Sequence, residues 1–304
     1  MHNFIYSLKI RSTPFALYRK HLRTAALALM VSVVSLQAIA GDGEYAAVES
    51  YVASAAASTG WSQAEVAAII GQAQMQPRIL EIMNKPAEKS MTWQEYRTRI
   101  VSADRIAAGR DFMIQYADPL ARAEATYGVP KNVIAAILGI ETRYGEKRGN
   151  YRVLDSLVTL SFGYPRRAAF FQKELTAFLK LARAGHVDPY TIKGSYAGAI
   201  GWPQFMPTSI LALATDFDGD GKIDLYNSPV DAIGSVANYF SKNGWRQEGP
   251  VLTRLAGAAG SNLTMAPGDD AEFYHTDHNY KVIKRYNHSD MYAIAVFELS
   301  QALR

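Results

Sequence analysis

Apolar positions recur every three or four residues through most of the chain, a spacing that places them on one face of an α-helix. The pattern starts in a segment of small residues and continues after Ser62, whose side chain is typical of a helix N-cap. It predicts helices over part of 41–60, from Ser62 to residue 70, and over 92–116, 131–143, 166–184, 229–242 and 290–303.

The pattern changes between residues 249 and 285, where Gly, Ser, Asn and Pro become frequent and short β-like pieces such as 280–283 occur. A glycine-rich loop over 194–201 lies upstream of this segment. The sequence therefore predicts a mainly α fold of the α+β kind, with one small β-containing part late in the chain.

The N-terminus has the order of a signal peptide. The first 41 residues contain five basic side chains and no acidic one, and an uncharged apolar run over 25–36 precedes Ala38-Ile39-Ala40. An uncleaved membrane anchor is the alternative, but the run is shorter than the ~18–20 residues that span a bilayer. We therefore expect a signal peptide over residues 1–40 and an exported protein.

Composition and charge narrow the classes of function. The chain has no cysteine, which excludes disulfides, thiol catalysis, cysteine-ligated metals and a lipoprotein acylation site. The formal net charge of +4 belongs to the N-terminus, since the chain beyond it carries 27 basic and 28 acidic residues. Nucleic acid is therefore not an expected partner.

One carboxylate lies on the apolar face of a predicted helix. Within 131–143, spacings of three and four place Glu141 in one stripe with Ile137 and Leu138. Burial disfavours a charged carboxylate and raises its pKa, which suits a general acid that works near neutral pH. The alternative is a helix-end Glu that pairs with a nearby base such as Arg143.

Several short motifs accompany this carboxylate. Glu141 opens E-T-R-Y-G, and G-S-Y-A-G-A over 194–199 and Q-F-M-P over 204–207 follow it. In this order and at this spacing, the motifs closely resemble those of the lytic murein transglycosylase B family of bacterial cell-wall enzymes. The resemblance covers residues 127–245 and resumes over 279–303.

The resemblance implies a lysozyme-like helical core with an active-site groove, a flanking helical domain and a smaller β-containing one. We accordingly expect, in chain order, the signal peptide over 1–40, an N-terminal helical domain over 41–118, a lysozyme-like catalytic core with an EF-hand-like loop over 119–248, a small β-containing subdomain over 249–285, and a C-terminal helix over 286–304 that completes the groove.

The resemblance also implies an activity. Glu141 would be the sole catalytic acid/base and would cleave the β-1,4 bond between N-acetylmuramic acid and N-acetylglucosamine in peptidoglycan. Neutral amides and hydroxyls suit sugars, and arginines suit carboxylates. The residues implied to contact substrate are Ser195, Gln204, Tyr286, Asn287, Arg166 and Arg167. The alternative for the two arginines is that they are solvated residues in the first turn of the next helix.

A single carboxylate is compatible with cleavage that does not use water. Ordinary glycosidases use two carboxyl groups, and the candidates for a second one, Glu146 and Asp155, are better explained as solvated or helix-end charges. Glu141 would protonate the glycosidic oxygen and then accept the proton of the muramyl 6-hydroxyl as it attacks the anomeric carbon. The product would be a 1,6-anhydromuramyl end.

Residues 216–224 match the first nine positions of an EF-hand loop, D-x-D-x-D-G-x-x-D. Position 12 is Asn227 rather than Glu, so we expect Asp231 to close a longer loop, as the resemblance suggests. The alternative is a helix start in which Ser228 is the N-cap and Asp231 holds the capping-box position. We expect a structural Ca²⁺ and no organic cofactor. The expected ligands are Asp216, Asp218, Asp220, the backbone oxygen of Lys222, and Asp231.

Other functions stay open at this stage. A hydrolytic muramidase would let water reach the same intermediate, and a peptidoglycan-binding protein could use the same fold without catalysis. A calcium sensor is disfavoured, because the chain has one such loop and that loop lacks its final Glu. We expect a periplasmic enzyme without a stable membrane anchor after signal cleavage, with glycan strands and other cell-wall enzymes as partners.

Overall fold

The computed structural model describes residues 42–84, 91–266 and 270–304. The predicted signal peptide lies outside the described residues. Within the described ranges, no helix has both the length and the apolar character needed to cross a membrane. Contacts divide the chain into two units, with the boundary between Ala73 and Gln74.

Helices make up most of the described chain, so the prediction of a mainly α fold is confirmed. They are α1 Asp42–Thr59, α2 Gln63–Ile70, α3 Pro77–Asn84, α4 Trp93–Ile100, α5 Ala103–Gln115, α6 Ala117–Tyr127, α7 Lys131–Thr142, α8 Val153–Gly163, α9 Ala168–Arg183, α10 Pro207–Leu213, α11 Pro229–Lys242, α12 His278–Tyr286 and α13 Asp290–Ala302, with a 3-10 turn at Pro165–Arg167.

The strands are short and form two antiparallel sheets. They are β1 Tyr151–Arg152, β2 Lys193–Gly194, β3 Leu252–Leu255, β4 Leu263–Met265 and β5 Glu272–Thr276. The first sheet pairs β1 with β2, and the second has the order β3-β5-β4. The second sheet lies within the segment that the sequence predicts to contain β-structure. The predicted domain boundaries themselves stay predictions.

In the first unit, α1 packs against α2. Ser62 caps α2 as expected: its side chain accepts a hydrogen bond from the Glu65 amide, and the Glu65 carboxylate accepts one from the Ser62 amide. This capping box satisfies two amides that the helix leaves unpaired. The buried face of α2 consists of Val66, Ile69 and Ile70.

The second unit is built around α7. Every residue from Asn132 to Gly139 is buried, because α5, α6, α11 and α13 pack around this helix. A helix enclosed in this way must be apolar on all sides, which explains the composition of its middle section. Burial of each large aliphatic side chain contributes about 1.5–3 kcal/mol. This packing fixes the position of Glu141 in the last turn of α7.

Two predicted elements differ from the structure, and one helix of the structure lies outside the predicted set. The helix predicted over 92–116 is two helices, because the chain leaves helical geometry at Val101 and Ser102 caps a new helix. The piece predicted to be β-like over 280–283 is wrong, since these residues lie in α12 with Tyr280, Val282 and Ile283 buried. Helix α8 was not predicted, because nine consecutive residues of it are buried and leave no periodic pattern.

Candidate active site and acidic loop

The chain turns sharply after Glu141. Helix α7 ends at Thr142, and Arg143, Tyr144 and Gly145 follow with φ angles of 50°, 56° and 86°. A left-handed backbone at a residue with a side chain costs about 1–3 kcal/mol and is typical of functional sites. The E-T-R-Y-G motif is therefore the end of a helix followed by three left-handed residues.

Two glycines make room for this turn. The Tyr144 ring lies against Gly109 of α5 and Gly139 of α7, and a Cβ atom at either glycine would overlap the tyrosine hydroxyl. The ring also stacks on Phe112, at 5.2 Å between centroids. The half-buried Tyr144 side chain thus fixes the path of the chain directly behind Glu141.

Glu141 is half-buried and accepts a hydrogen bond from a tyrosine of the last helix. The Tyr292 hydroxyl donates to Glu141 Oε1 at 2.6 Å, and the Tyr286 ring stacks on the Tyr292 ring at 6.4 Å. Burial, and after it the Glu141 charge, raises the pKa of both tyrosines well above 10. Both phenols therefore keep their protons at neutral pH, and Tyr292 remains a hydrogen-bond donor to Glu141.

A turn that carries Gln204 packs beside Tyr286 and the last turn of α7. The Tyr286 hydroxyl donates to the Pro203 carbonyl at 2.5 Å, and Thr142 Oγ1 donates to the Trp202 carbonyl at 3.0 Å. Gln204 has a φ of 50°, and its Nε2 donates to the carbonyls of Gly201 and Arg148. Tyr286 therefore stands between two other predicted site residues: its ring stacks on Tyr292, which donates to Glu141, and its hydroxyl bonds Pro203, which precedes Gln204.

Ser195 and Asn287 lie in loops of the same unit. Ser195 Oγ accepts hydrogen bonds from the amides of Ala197 and Ala199, which closes the glycine-rich loop on itself. Asn287 follows α12, and its Oδ1 accepts from the Ser289 amide at 3.1 Å, where α13 begins. Both side chains therefore have local structural partners in addition to any role with substrate.

The two predicted arginines lie on the surface. Arg166 and Arg167 belong to the 3-10 turn and are exposed, and the Arg167 guanidinium lies 4.1 Å from the centre of the Phe170 ring. The two candidates for a second carboxylate differ. Glu146 is exposed, whereas buried Asp155 forms an ion pair with Arg152. Asp155 thus has a structural partner.

The loop over residues 216–231, which we call the acidic loop, brings three of the predicted metal ligands together. Asp216, Asp218 and Asp231 each offer a carboxylate oxygen, and these oxygens lie within 4.8 Å of one another. Clustered carboxylate oxygens are the ligands that Ca²⁺ prefers, so this set fits a calcium ion. Asp220 lies outside the trio and accepts a hydrogen bond from the Lys222 amide at 2.8 Å.

Asp231 lies in the first turn of α11, but its carboxylate does not form the capping box, because the Ser228 amide donates to the Asp224 carbonyl. The Asp231 amide donates to Ser228 Oγ, so Ser228 is the N-cap of α11. Its fully buried carboxylate turns into the loop and accepts hydrogen bonds from the amides of Phe217, Asp218 and Asp224. Burial raises the pKa of Asp231 above its ordinary value, although these amides act in the opposite direction.

The sequence pattern does not identify two residues that contact the site, Tyr292 and Arg148. Tyr292 contacts Glu141 across 151 positions, and its only mark is a tyrosine among small and aliphatic residues. The Arg148 guanidinium donates to the Tyr226 carbonyl and lies over the Tyr226 ring, while its own carbonyl accepts from Gln204. Arg148 therefore connects the acidic loop to the Gln204 turn.

Comparisons with known proteins agree with this architecture. Residues 43–269 and 253–301 match the model of the family described as Transglycosylase SLT domain. Membrane-bound lytic murein transglycosylase B of Escherichia coli (strain K12) is 38% identical over 285 residues, which cover 80% of this chain and 79% of that protein.

Solved structures give the same result. The E. coli lytic transglycosylase Slt35, in complex with bulgecin A, is 38% identical with a TM-score of 0.78, over 84% of this chain and 91% of that one. A second Slt35 structure was solved in complex with calcium. Soluble lytic transglycosylase SltB1 from Pseudomonas aeruginosa is 38% identical with a TM-score of 0.79, over 84% and 97%.

These matches confirm the predicted fold class, a lysozyme-like helical core with small sheets, and they confirm the resemblance found in the sequence. The family model extends over most of the chain, and the E. coli relative covers four-fifths of it. The chain therefore belongs to the Transglycosylase SLT domain family and is a lytic transglycosylase, an enzyme of the lyase type.

Proposed function

We propose that this enzyme cleaves the β-1,4 bond between N-acetylmuramic acid and N-acetylglucosamine in peptidoglycan and leaves 1,6-anhydromuramyl ends, with Glu141 as the single acid/base. The observation that carries the proposal is the placement of Glu141: a half-buried carboxylate at the end of a buried helix, with a neutral tyrosine donating to one of its oxygens. The names of the relatives support the substrate class. SltB3 from P. aeruginosa, 30% identical, was solved in complex with NAG-NAM-pentapeptide.

The reaction takes place in two proton transfers through one group. Protonated Glu141 donates its proton to the glycosidic oxygen, which leaves with the N-acetylglucosamine. The muramyl acetamido group stabilises the positive anomeric centre. The Glu141 carboxylate then accepts the proton of the muramyl 6-hydroxyl while that oxygen bonds to the anomeric carbon. Glu141 ends protonated, as it began, and no water is consumed.

Tyr292 and the Gln204 turn support these steps. The hydrogen bond from Tyr292 to Oε1 fixes the direction of the Glu141 carboxyl group for the proton transfers. In this proposal Ser195, Gln204, Tyr286 and Asn287 orient the sugars. Arg166 and Arg167 bind carboxylates of the lactyl group or of the attached peptide.

The acidic loop has a structural role in this proposal. Asp216, Asp218 and Asp231 supply the carboxylate oxygens that would hold Ca²⁺, and Asp220 and the Lys222 backbone oxygen complete the proposed set. Bound calcium would neutralise acidic groups that otherwise repel one another. The calcium complex of Slt35 supports this assignment.

The cellular setting also belongs to the proposal. A signal peptide over residues 1–40 would direct the chain to the periplasm, where its substrate lies. Glycan strands are the proposed partner there, together with other cell-wall enzymes.

The test is mass spectrometry of the products that residues 41–304 release from purified sacculi, beside the Glu141→Gln variant. Anhydromuramyl ends from the wild type alone are the expected result. Reducing ends would instead identify a hydrolytic muramidase on this scaffold. Binding to sacculi without release of any product, with calcium present, would identify a glycan-binding protein.

A further inference from the structure

Two arginines bind the acidic loop with the same geometry. The Arg122 guanidinium, from α6, donates to the Phe217 carbonyl at 2.6 Å and lies 4.1 Å from the centre of the Phe217 ring. The Arg148 guanidinium donates to the Tyr226 carbonyl and lies 4.5 Å from the centre of the Tyr226 ring. Each arginine thus contacts the backbone and the ring of one loop residue.

Arg148 differs from Arg122 in its contacts with the Gln204 turn, residues 201–205. The Arg148 carbonyl accepts a hydrogen bond from Gln204 Nε2 at 3.2 Å, and the Arg148 guanidinium lies 6.0 Å from the centre of the Trp202 ring. Among the described residues, Arg122 forms no hydrogen bond with that turn. Arg148 is therefore a bridge between the loop and the turn, and Arg122 is not.

A backbone contact accompanies this bridge. The Trp202 amide donates to the Leu225 carbonyl at 2.9 Å, and a Cβ atom at Gly201 would lie 2.2 Å from that carbonyl oxygen. Leu225 and Tyr226 are consecutive residues of the acidic loop, so loop and turn meet through a side chain and through the backbone. Gln204 itself has a φ of 50°, a conformation that persists only where neighbouring groups hold it.

The bridged part of the loop is also bound to the carboxylate cluster. The Asp224 amide donates to the buried Asp231 carboxylate at 2.8 Å, and the Asp224 carboxylate accepts from the Tyr226 amide at 3.2 Å. Asp231 belongs to the three carboxylates whose oxygens lie within 4.8 Å of one another. Like charges so close repel, so a cation among them favours the closed loop to which Tyr226 belongs.

We propose that Arg148 is a positioning residue: it holds the Gln204 turn against the closed acidic loop, so that calcium in the loop raises the affinity of the enzyme for the glycan. The inference rests on the proposed function for the contact of Gln204 with the sugar. Arg148 acts through Gln204 and touches no reacting atom. By thermodynamic linkage, bound glycan raises the affinity of the loop for calcium by the same factor.

The first test follows the turn without any cleavage. Trp202 lies in the turn, and its fluorescence is obtained by subtracting the spectrum of a matched Trp202→Phe chain. Calcium is titrated into chelator-treated wild type, Arg148→Met and Arg122→Met, and calorimetry measures its binding in parallel. Bound calcium should shift the Trp202 emission in the wild type and in Arg122→Met, but not in Arg148→Met. An equal shift in Arg148→Met, or no shift in the wild type with calcium bound, would overturn the proposal.

The second test separates binding from chemistry on purified sacculi at saturating calcium. Arg148→Met should raise KM about tenfold and leave kcat unchanged, because the lost contact positions a binding residue rather than the acid. Chelation of calcium should raise the wild-type KM by a similar factor and should add nothing in Arg148→Met. Arg148→Lys keeps a cationic donor and should stay within about threefold of the wild-type KM.

Arg122→Met is the matched control, since it removes an equivalent arginine contact with the loop and should keep the wild-type KM. An equal rise of KM in Arg122→Met, or a fall in kcat of Arg148→Met at constant KM, would contradict the positioning role.

A double-mutant cycle separates this inference from the proposed function. Gln204→Ala should raise KM, and Arg148→Met added to it should raise KM no further, since both changes act through one side chain. Two increases that multiply would show that Arg148 acts apart from Gln204 and would overturn the inference. An unchanged KM in Gln204→Ala would instead contradict the sugar-binding role of Gln204, and the Trp202 emission would still decide whether Arg148 links loop and turn.

Discussion

The end of α7 and the acidic loop both enclose carboxylates, but they satisfy them with different donors. Glu141 accepts from the hydroxyl of a tyrosine side chain, Tyr292, on a distant helix. Asp231 accepts from three backbone amides of its own loop. A single side-chain donor orients the Glu141 carboxyl group, whereas three amides tie the Asp231 carboxylate to the local backbone. The difference agrees with the proposed function, in which the first region transfers protons and the second has a structural role.

The largest effect expected from this comparison is the loss of activity in Glu141→Gln. The amide cannot donate or accept the transferred proton, so kcat should fall about 10³-fold or more. The amide oxygen can still accept from Tyr292, so the melting temperature should change little. Glu146→Gln, at an exposed neighbouring carboxylate, is the control and should retain full activity. A rate for Glu141→Gln within tenfold of wild type would contradict the assignment.

The second prediction concerns stability. Asp231→Ala leaves the amides of Phe217, Asp218 and Asp224 without their acceptor, and the free energy of unfolding should fall by about 2–4 kcal/mol. Urea denaturation with a chelator present measures this. Exposed Asp220 is the control, because Asp220→Asn should change stability by less than about 0.5 kcal/mol. Equal losses in the two variants would remove the distinction between Asp231 and the rest of the loop.

The effect of calcium on stability should further distinguish the acidic loop from the end of α7. Free calcium at about 100 times its Kd should stabilise the wild type by about 2.7 kcal/mol, and Asp216→Asn should abolish most of that gain. Burial raises the pKa of Asp231. Folding therefore favours the protonated form of Asp231. The resulting contribution to the free energy of unfolding is present at low pH and is lost as the pH rises through the raised pKa.

Calcium replaces that proton at higher pH, so its stabilising effect should be greater at pH 7 than near pH 4. Thermal unfolding at both pH values, with and without calcium, measures the difference. An unchanged calcium effect in Asp216→Asn would show that the ion binds elsewhere.

The sequence predicted these regions to different degrees, for physical reasons. Glu141 stood out because a helix repeats its faces at fixed intervals, so one polar residue in an apolar stripe is visible locally. The acidic loop was recognisable because its acidic residues are close in sequence. Tyr292 was not predictable, since its contact with Glu141 spans 151 positions and depends on how α13 packs against α7.

The dependence on tertiary packing also limits the prediction of whole helices and strands. Helix α8 is surrounded on all sides, so its apolar residues have no period to detect. The short apolar run over 280–283 is compatible with a strand or a helix, and packing against α13 decides for the helix. Local patterns therefore predict the amphipathic helices, and tertiary packing decides the elements that are buried or short.

The smallest effect, and the most specific to the comparison, is expected from Tyr292→Phe. The ring and its stacking on Tyr286 remain, and only the hydroxyl that donates to Glu141 is removed. We expect kcat to fall about tenfold, since one hydrogen bond that orients the acid is lost, with KM nearly unchanged.

Tyr280→Phe is the matched control for this change. Tyr280 is also buried, and its hydroxyl also donates to a carboxylate, that of Asp290, at 2.5 Å. Both variants lose one phenol-to-carboxylate hydrogen bond, so both should lose similar stability. Only Tyr292→Phe should lose activity, because in the proposed mechanism the proton is moved by Glu141 and not by Asp290. Equal kcat values in the two variants would mean that Glu141 keeps its orientation without Tyr292, and that the Gln204 turn and α7 alone position the acid.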